Sequence, residues 1–168
     1  KKYGVVIQHG TQNRSNAKIA GLHEMINAGK FGKLKISYGY CCKPRGGIGF
    51  KSPSVSPANL DWNLWRGPAV IDTFHANYVH YNWHWFWHWG TGEICNNAAH
   101  ELDIARWALG VNFPEKVSVT AGRNFYRNDD WEMYDTMEVR YDFPEGKSIE
   151  WVGNSCNKVL RFERGRGT

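Results

Sequence analysis

At 168 residues the chain can bury one core, and two ordinary domains would be cramped in it. Its formal net charge of +5 is spread along the sequence as 21 basic and 16 acidic residues, a distribution that argues against a nucleic-acid partner. No apolar run approaches the roughly 20 residues of a membrane helix, so no membrane partner is expected. Aromatic residues reach 15%, with nine tryptophans, which is more than a core of this size needs and points to ring-stacking surfaces or an interface. The cysteines Cys41, Cys42, Cys95 and Cys156 have no CxxC spacing, so neither a zinc ribbon nor a disulfide framework is expected, and a reducing compartment is favoured. The one basic cluster, Arg161 to Arg166, reads as a solvated end.

In chain order, Val5 to Gln8 predicts a short buried parallel strand whose exit is "GTQNRSN". Ser15 or Asn16 can then cap a helix in which Ile19, Leu22 and Ile26 recur at helical spacing, closed by Gly29. From Lys33 the pattern alternates, with Leu34, Ile36, Tyr38 and Tyr40 on one face of a half-buried strand. Residues 43–70, rich in proline, glycine and serine, predict a long excursion without long regular elements. In "YNWHWFWHWG" an extended backbone would place Trp83, Trp85, Trp87 and Trp89 on one face, whereas a helix would pair His84 with His88. "AAHELDIARWALG" predicts a helix capped by Asn96 or Asn97 and stopped by Gly110. Alternating apolar residues at 117–121, 137–143 and 149–151, with the turn "PEG", predict an antiparallel meander. The expected fold class is α+β, a large, mostly antiparallel sheet with helices on one face.

The tightest polar cluster is "TGEICNNAAHELD", where two glycines allow a close approach to the exposed N–H groups of the next helix. His100 and Asp103 lie three apart and share a helical face with Trp107, so His100 is a candidate general base. The competing reading is a local His100–Asp103 pair that holds the helix to the sheet. A metal on His84, His88, His100, Glu93 or Asp103 is a third option, without an HExxH or paired-cysteine context to support it, and no metal is assigned.

The segments "WHWFWHWGTGEICNNAAHELDIARWALG", "LDWNLWRGPA", "VVIQHGTQNR" and "AGKFGKL", taken in order, resemble the Gfo/Idh/MocA family of NAD(P)-dependent oxidoreductases. The resemblance implies a fragment. Residues 1–13 would be the last strand and exit of an N-terminal Rossmann domain that is otherwise absent, with its cofactor-binding glycines and catalytic lysine. Residues 14–168 would be a substrate-binding domain truncated at its C-terminus. It further implies that His100 accepts the hydroxyl proton as hydride leaves the same carbon, and that Asn96 stands at a position where aspartate is commoner. An amide can orient a hydroxyl and cannot take its proton. By the same resemblance, Asp103 would bind a substrate hydroxyl or orient His100, Arg14 would bind substrate, and Gln12, Trp65 and Arg66 would reach the cofactor, NAD or NADP. The position of the tryptophan segment beside this helix adds Trp85 and His84 as substrate contacts.

The function expected is hydride transfer on a sugar, cyclitol or related polyol, whose pyranose C–H faces suit flat indoles. The fragment alone would be inactive. The alternative is a non-catalytic carbohydrate-binding or oligomerisation module with an aromatic wall. A homo-oligomer through the sheet is expected, and the location is either cytoplasmic or, with cofactor already bound, exported.

Overall fold

A computed structural model describes residues 2–157, so the basic cluster at Arg161 to Arg166 lies outside the described residues. Four strands form one open sheet in the order β1-β4-β3-β2, with β1 at Ile36–Cys42, β2 at Lys116–Gly122, β3 at Thr136–Phe143 and β4 at Lys147–Asn154. Strands β2, β3 and β4 make the expected antiparallel meander, and β1 joins β4 in parallel. The helices are α1 (Ala17–Asn27), α2 (Trp62–Arg66), α3 (Glu93–Asn96) and α4 (Ala98–Leu109). The architecture is α+β as expected, with α4 laid on the face shared by β1 and β4.

Helix α4 occupies that position because Ala98, Leu102, Ala105 and Leu109 recur on one face and pack against Cys41, Val139, Phe143, Ile149 and Trp151. Its close seat on β1 is eased by Gly39, since a Cβ there would crowd the Glu101 Cβ at 3.2 Å and the Trp151 ring at 3.3 Å. This constraint inverts the expected burial of β1. The small residues Ser37, Gly39 and Cys41 face α4, while Ile36, Tyr38 and Tyr40 are about half exposed on the helix-free face of the sheet.

Helix α1 starts as expected, with the Asn16 side chain accepting from the Lys18 N–H, and α4 stops at Gly110 in the left-handed conformation. Residues 43–70 form the predicted excursion, with only the five-residue α2 as regular structure in it and an isolated bridge between Ser54 and Phe74 tying it down. The expected strand at Val5 to Gln8 does not form. None of the described strands lies beside it to pair its backbone, and Val6 and Ile7 are 97% and 88% exposed.

Candidate functional site

The outward face of α4 carries His100, Asp103 and Trp107, and the N-terminal segment is tied to it. Arg14, in a short 3-10 turn at Gln12–Ser15, donates two hydrogen bonds to Asp103, Nε to Oδ2 at 2.8 Å and Nη2 to Oδ1 at 2.6 Å. The same guanidinium lies 5.1 Å from the Trp107 ring centroid, and His23 of α1 stacks on Trp107 at 3.9 Å. Gln12 Nε2 approaches His100 Nε2 to 3.5 Å, so in this amide orientation the imidazole nitrogen is the acceptor. Four predicted residues, Gln12, Arg14, His100 and Asp103, are thereby gathered across some ninety residues of sequence. Asp103 is spent on Arg14, so the local His100–Asp103 pair considered above does not form.

Beside this clamp, β1, α4 and residues 13–19 enclose a cleft of about 340 Å³ lined by Asn13, Ser37, Gly39, His100 and Glu101, with Ile104 and Ala108 as apolar wall. Burial pushes the Glu101 carboxyl above its ordinary value, with the Trp151 indole and, more weakly, the nearby His100 opposing the shift. Neither Asn13 nor Glu101 stands out in the sequence, because each is an ordinary polar residue until the fold brings β1 alongside α4.

The tryptophan segment is neither extended nor one regular helix. It is a 3-10 turn at Asn82–Trp85 followed by tight turns, and Gly90 lies so close to the His84 backbone that a Cβ would collide with it. Trp85 is a core residue at 1% exposure, which corrects the expectation of a ring presented to substrate. Its indole stacks on Trp131 at 3.9 Å, and Trp131 stacks in turn on Tyr126 at 4.6 Å. His84 is likewise buried, at 4%, among Tyr81, Trp83 and Trp85, so its expected place at an open substrate surface is corrected too. Burial, reinforced by the Arg45 cation, pushes its imidazole below the ordinary 6.5. Among the described residues no three His, Cys, Asp or Glu side chains gather as a metal site would require.

Trp65 and Arg66, expected near cofactor, are packed elsewhere. Trp65 meets Trp62 and Trp89 in the aromatic cluster, and Arg66 is bound to Asp72 and the Ile71 carbonyl. Trp65, Trp83 and Trp89 line a separate aromatic cleft.

One network connects the aromatic core to the start of α4. Arg45 lies over the Trp85 ring at 4.9 Å, donates to the Tyr81 hydroxyl at 2.9 Å and forms an ion pair with Glu93. Glu93, 4% exposed, accepts from Asn97 Nδ2 at 2.5 Å and from Asn96 Nδ2 at 3.5 Å, and Lys43 Nζ donates to Asn97 Oδ1 at 3.4 Å. Sequence reasoning treated Glu93 only as a metal partner and passed over Lys43 and Arg45, which sit in a stretch whose composition signals nothing but loop.

The four-stranded open sheet with α4 on one face defines a mixed α/β domain. The sequence profile of an oxidoreductase family's C-terminal α/β domain, that of Gfo/Idh/MocA, matches residues 37–167, and the chain belongs to that family. Among solved structures, GenD2 from gentamicin A biosynthesis, in complex with NAD, shares the fold at a TM-score of 0.60 and 15% identity, over 94% of this chain and 36% of GenD2. An oxidoreductase from Bacillus cereus aligns at a TM-score of 0.51 and 14% identity, over 95% of this chain and 40% of that one. The chain thus spans well under half the length of these structures. No curated protein matches it in sequence.

Proposed function

We propose that the chain is the substrate-binding and catalytic domain of an NAD(P)-dependent oxidoreductase that acts on a sugar, cyclitol or related polyol. The observation that carries this reading is the meeting of Gln12, His100, Asp103 and Arg14 beside the cleft under α4. A nucleotide-binding domain would precede residue 14, and the exposed apolar Val5, Val6 and Ile7 offer it a strand to pair. The NAD bound in GenD2 supports a nicotinamide cofactor here. The Gln12 and Asn13 side-chain amides, at the edge of the His100 cleft, offer the donors and acceptors a carboxamide needs. Trp65 and Arg66 would meet the cofactor only after leaving their present partners.

The dinucleotide, when bound, supplies a hydride acceptor. Asn96 holds the substrate hydroxyl by accepting from it or donating to it. His100 Nε2 takes the hydroxyl proton as the carbon–hydrogen bond breaks, so the carbon becomes a carbonyl carbon and the imidazole becomes imidazolium. Arg14 fixes Asp103 and thereby the face of α4 that presents His100. In the full-length protein, a sugar deuterated at the reacting carbinol should pass its deuterium to the nicotinamide, and His100→Ala should abolish the transfer. Transfer at near wild-type rate in that variant would overturn the assignment of His100. Sugar binding with no transfer by the wild type would favour the alternative, a carbohydrate-binding module using the cleft of Trp65, Trp83 and Trp89.

We further propose that copies of the protein associate through the helix-free face of the sheet. That face presents Ile36, Tyr38 and Tyr40 beside the Arg140–Glu150 and Arg140–Asp142 ion pairs. Tyr38→Glu with Tyr40→Glu should lower the mass measured by light scattering; an unchanged oligomer would exclude this face.

A further inference from the structure

The polar groups nearest the start of α4 are not all aimed at the cleft. Glu93 is buried in the turn that precedes the helix, and its carboxylate faces inward to Arg45 and to the side-chain amides of Asn96 and Asn97. Side-chain amides can flip, exchanging a carbonyl oxygen for an NH₂ group at nearly the same position. A carboxylate accepts hydrogen bonds and cannot donate them, so an amide bound to it must turn its NH₂ inward. For Asn96 this leaves Oδ1, which has no donor among the described residues, as the atom free to accept from a hydroxyl. Asn97 is fixed twice, with Nδ2 on Glu93 and Oδ1 receiving Lys43 Nζ.

We propose that Glu93 is a positioning residue that sets the amide orientation of Asn96 and Asn97, so that Asn96 offers a carbonyl oxygen to the substrate hydroxyl. The inference rests on the reading of Asn96 as a substrate contact given above. Glu93 is itself held on a rigid mount, because Arg45 both pairs with it and lies on the Trp85–Trp131–Tyr126 stack. An acceptor at Asn96 suits a hydroxyl that donates to it while its proton is still in place. The mount also gives the aromatic core a functional consequence without any ring touching substrate.

The test uses the full-length protein with NAD(P) and the sugar it oxidises, comparing Glu93→Gln, Glu93→Asp, Asn96→Ala and the double variant Glu93→Gln/Asn96→Ala. Glutamine keeps the shape and removes the charge, and its own NH₂ competes with the two amides for acceptors. Glu93→Gln should raise KM by about tenfold or more, with a smaller change in kcat. In the Asn96→Ala background the same change should alter kcat/KM by less than about twofold, because its effect passes through Asn96. Glu93→Asp, which keeps the charge, should recover part of the loss. The side-chain amide signals of Asn96 and Asn97 in ¹H–¹⁵N spectra report orientation independently of turnover. In the wild type their NH₂ protons should be protected from exchange, and in Glu93→Gln they should exchange as free amides do. An unchanged KM with unchanged amide signals, or a fully additive loss in the double variant, would overturn the proposal. If the wild type transfers no hydride, the functional reading fails, and the amide spectra still decide whether Glu93 positions the pair.

Discussion

The stack of Tyr126, Trp131 and Trp85 and the polar groups around His100 lie at opposite ends of one connection, the Arg45–Glu93 ion pair, and they are built on opposite principles. In the first, rings are closed off from water and held by stacking at 3.9 and 4.6 Å. In the second, the exposed or partly exposed Gln12, Arg14, His100 and Asp103 meet along a helix face, fastened by the charge-assisted hydrogen bonds from Arg14 to Asp103. The tryptophan-rich segment draws attention in the sequence, yet its central ring is buried in a stack, and the proposed chemistry is assigned to the plainer residues that follow it. A high density of indoles is therefore a statement about packing until exposure is known.

The sharpest way to break this contrast is to truncate one tryptophan from each environment. Trp85→Ala should cost about 3–5 kcal/mol of stability, through the cavity it opens and the lost stacking. Trp87→Ala, at a ring 60% exposed, should change stability by no more than about 0.5 kcal/mol. Urea unfolding of the two variants makes the comparison, and equal losses would abolish the distinction between core and surface rings.

On the polar side, Arg14→Ala should cost less, about 1 kcal/mol, because the Arg14 side chain is 44% exposed and water screens its pair with Asp103. The same substitution should speed hydrogen exchange at residues 12–15, whose hold on α4 depends on that pair. Unaltered exchange there would mean that the clamp is held by the His23–Trp107 stack alone.

The pH dependence gives a finer measure. His84 has its pKa depressed in the folded chain, so the unfolded chain binds the proton more readily below the ordinary 6.5. Its contribution is present in full above that pH and is lost as the pH falls towards the folded value. Between pH 6.5 and that value, the melting temperature of wild type should fall more steeply than that of His84→Gln. Parallel slopes would show that the buried imidazole does not set this part of the acid response.

Much of the fold was legible from local pattern. The Asn16 cap, the Gly110 stop and the strands β2, β3 and β4 with their antiparallel pairing all depend on residues close in sequence, and each forms as read. What was not legible depends on distant partners. The apolar face of β1 reads as the buried one until Glu101 and Trp151 are seen packed closely against Gly39. The Val5 to Gln8 segment has the composition of a buried strand, but no described strand stands next to it. Within the candidate site, family resemblance pointed to His100, Asp103, Gln12 and Arg14, and the fold brings these four together. It could not reveal that Asp103 is committed to Arg14, or that Glu93 is buried against an arginine 48 positions earlier in a loop. Ion pairs of that span leave no periodic trace in a sequence.

The central claim is that chemistry belongs to the α4 cleft and rigidity to the aromatic core. It is tested most directly by single-turnover hydride transfer in full-length His100→Ala and Trp85→Leu, measured by nicotinamide absorbance at a temperature where both variants are folded. The account predicts that His100→Ala binds sugar and cofactor but transfers no hydride, while Trp85→Leu loses stability and retains transfer. Undiminished transfer by His100→Ala would contradict it.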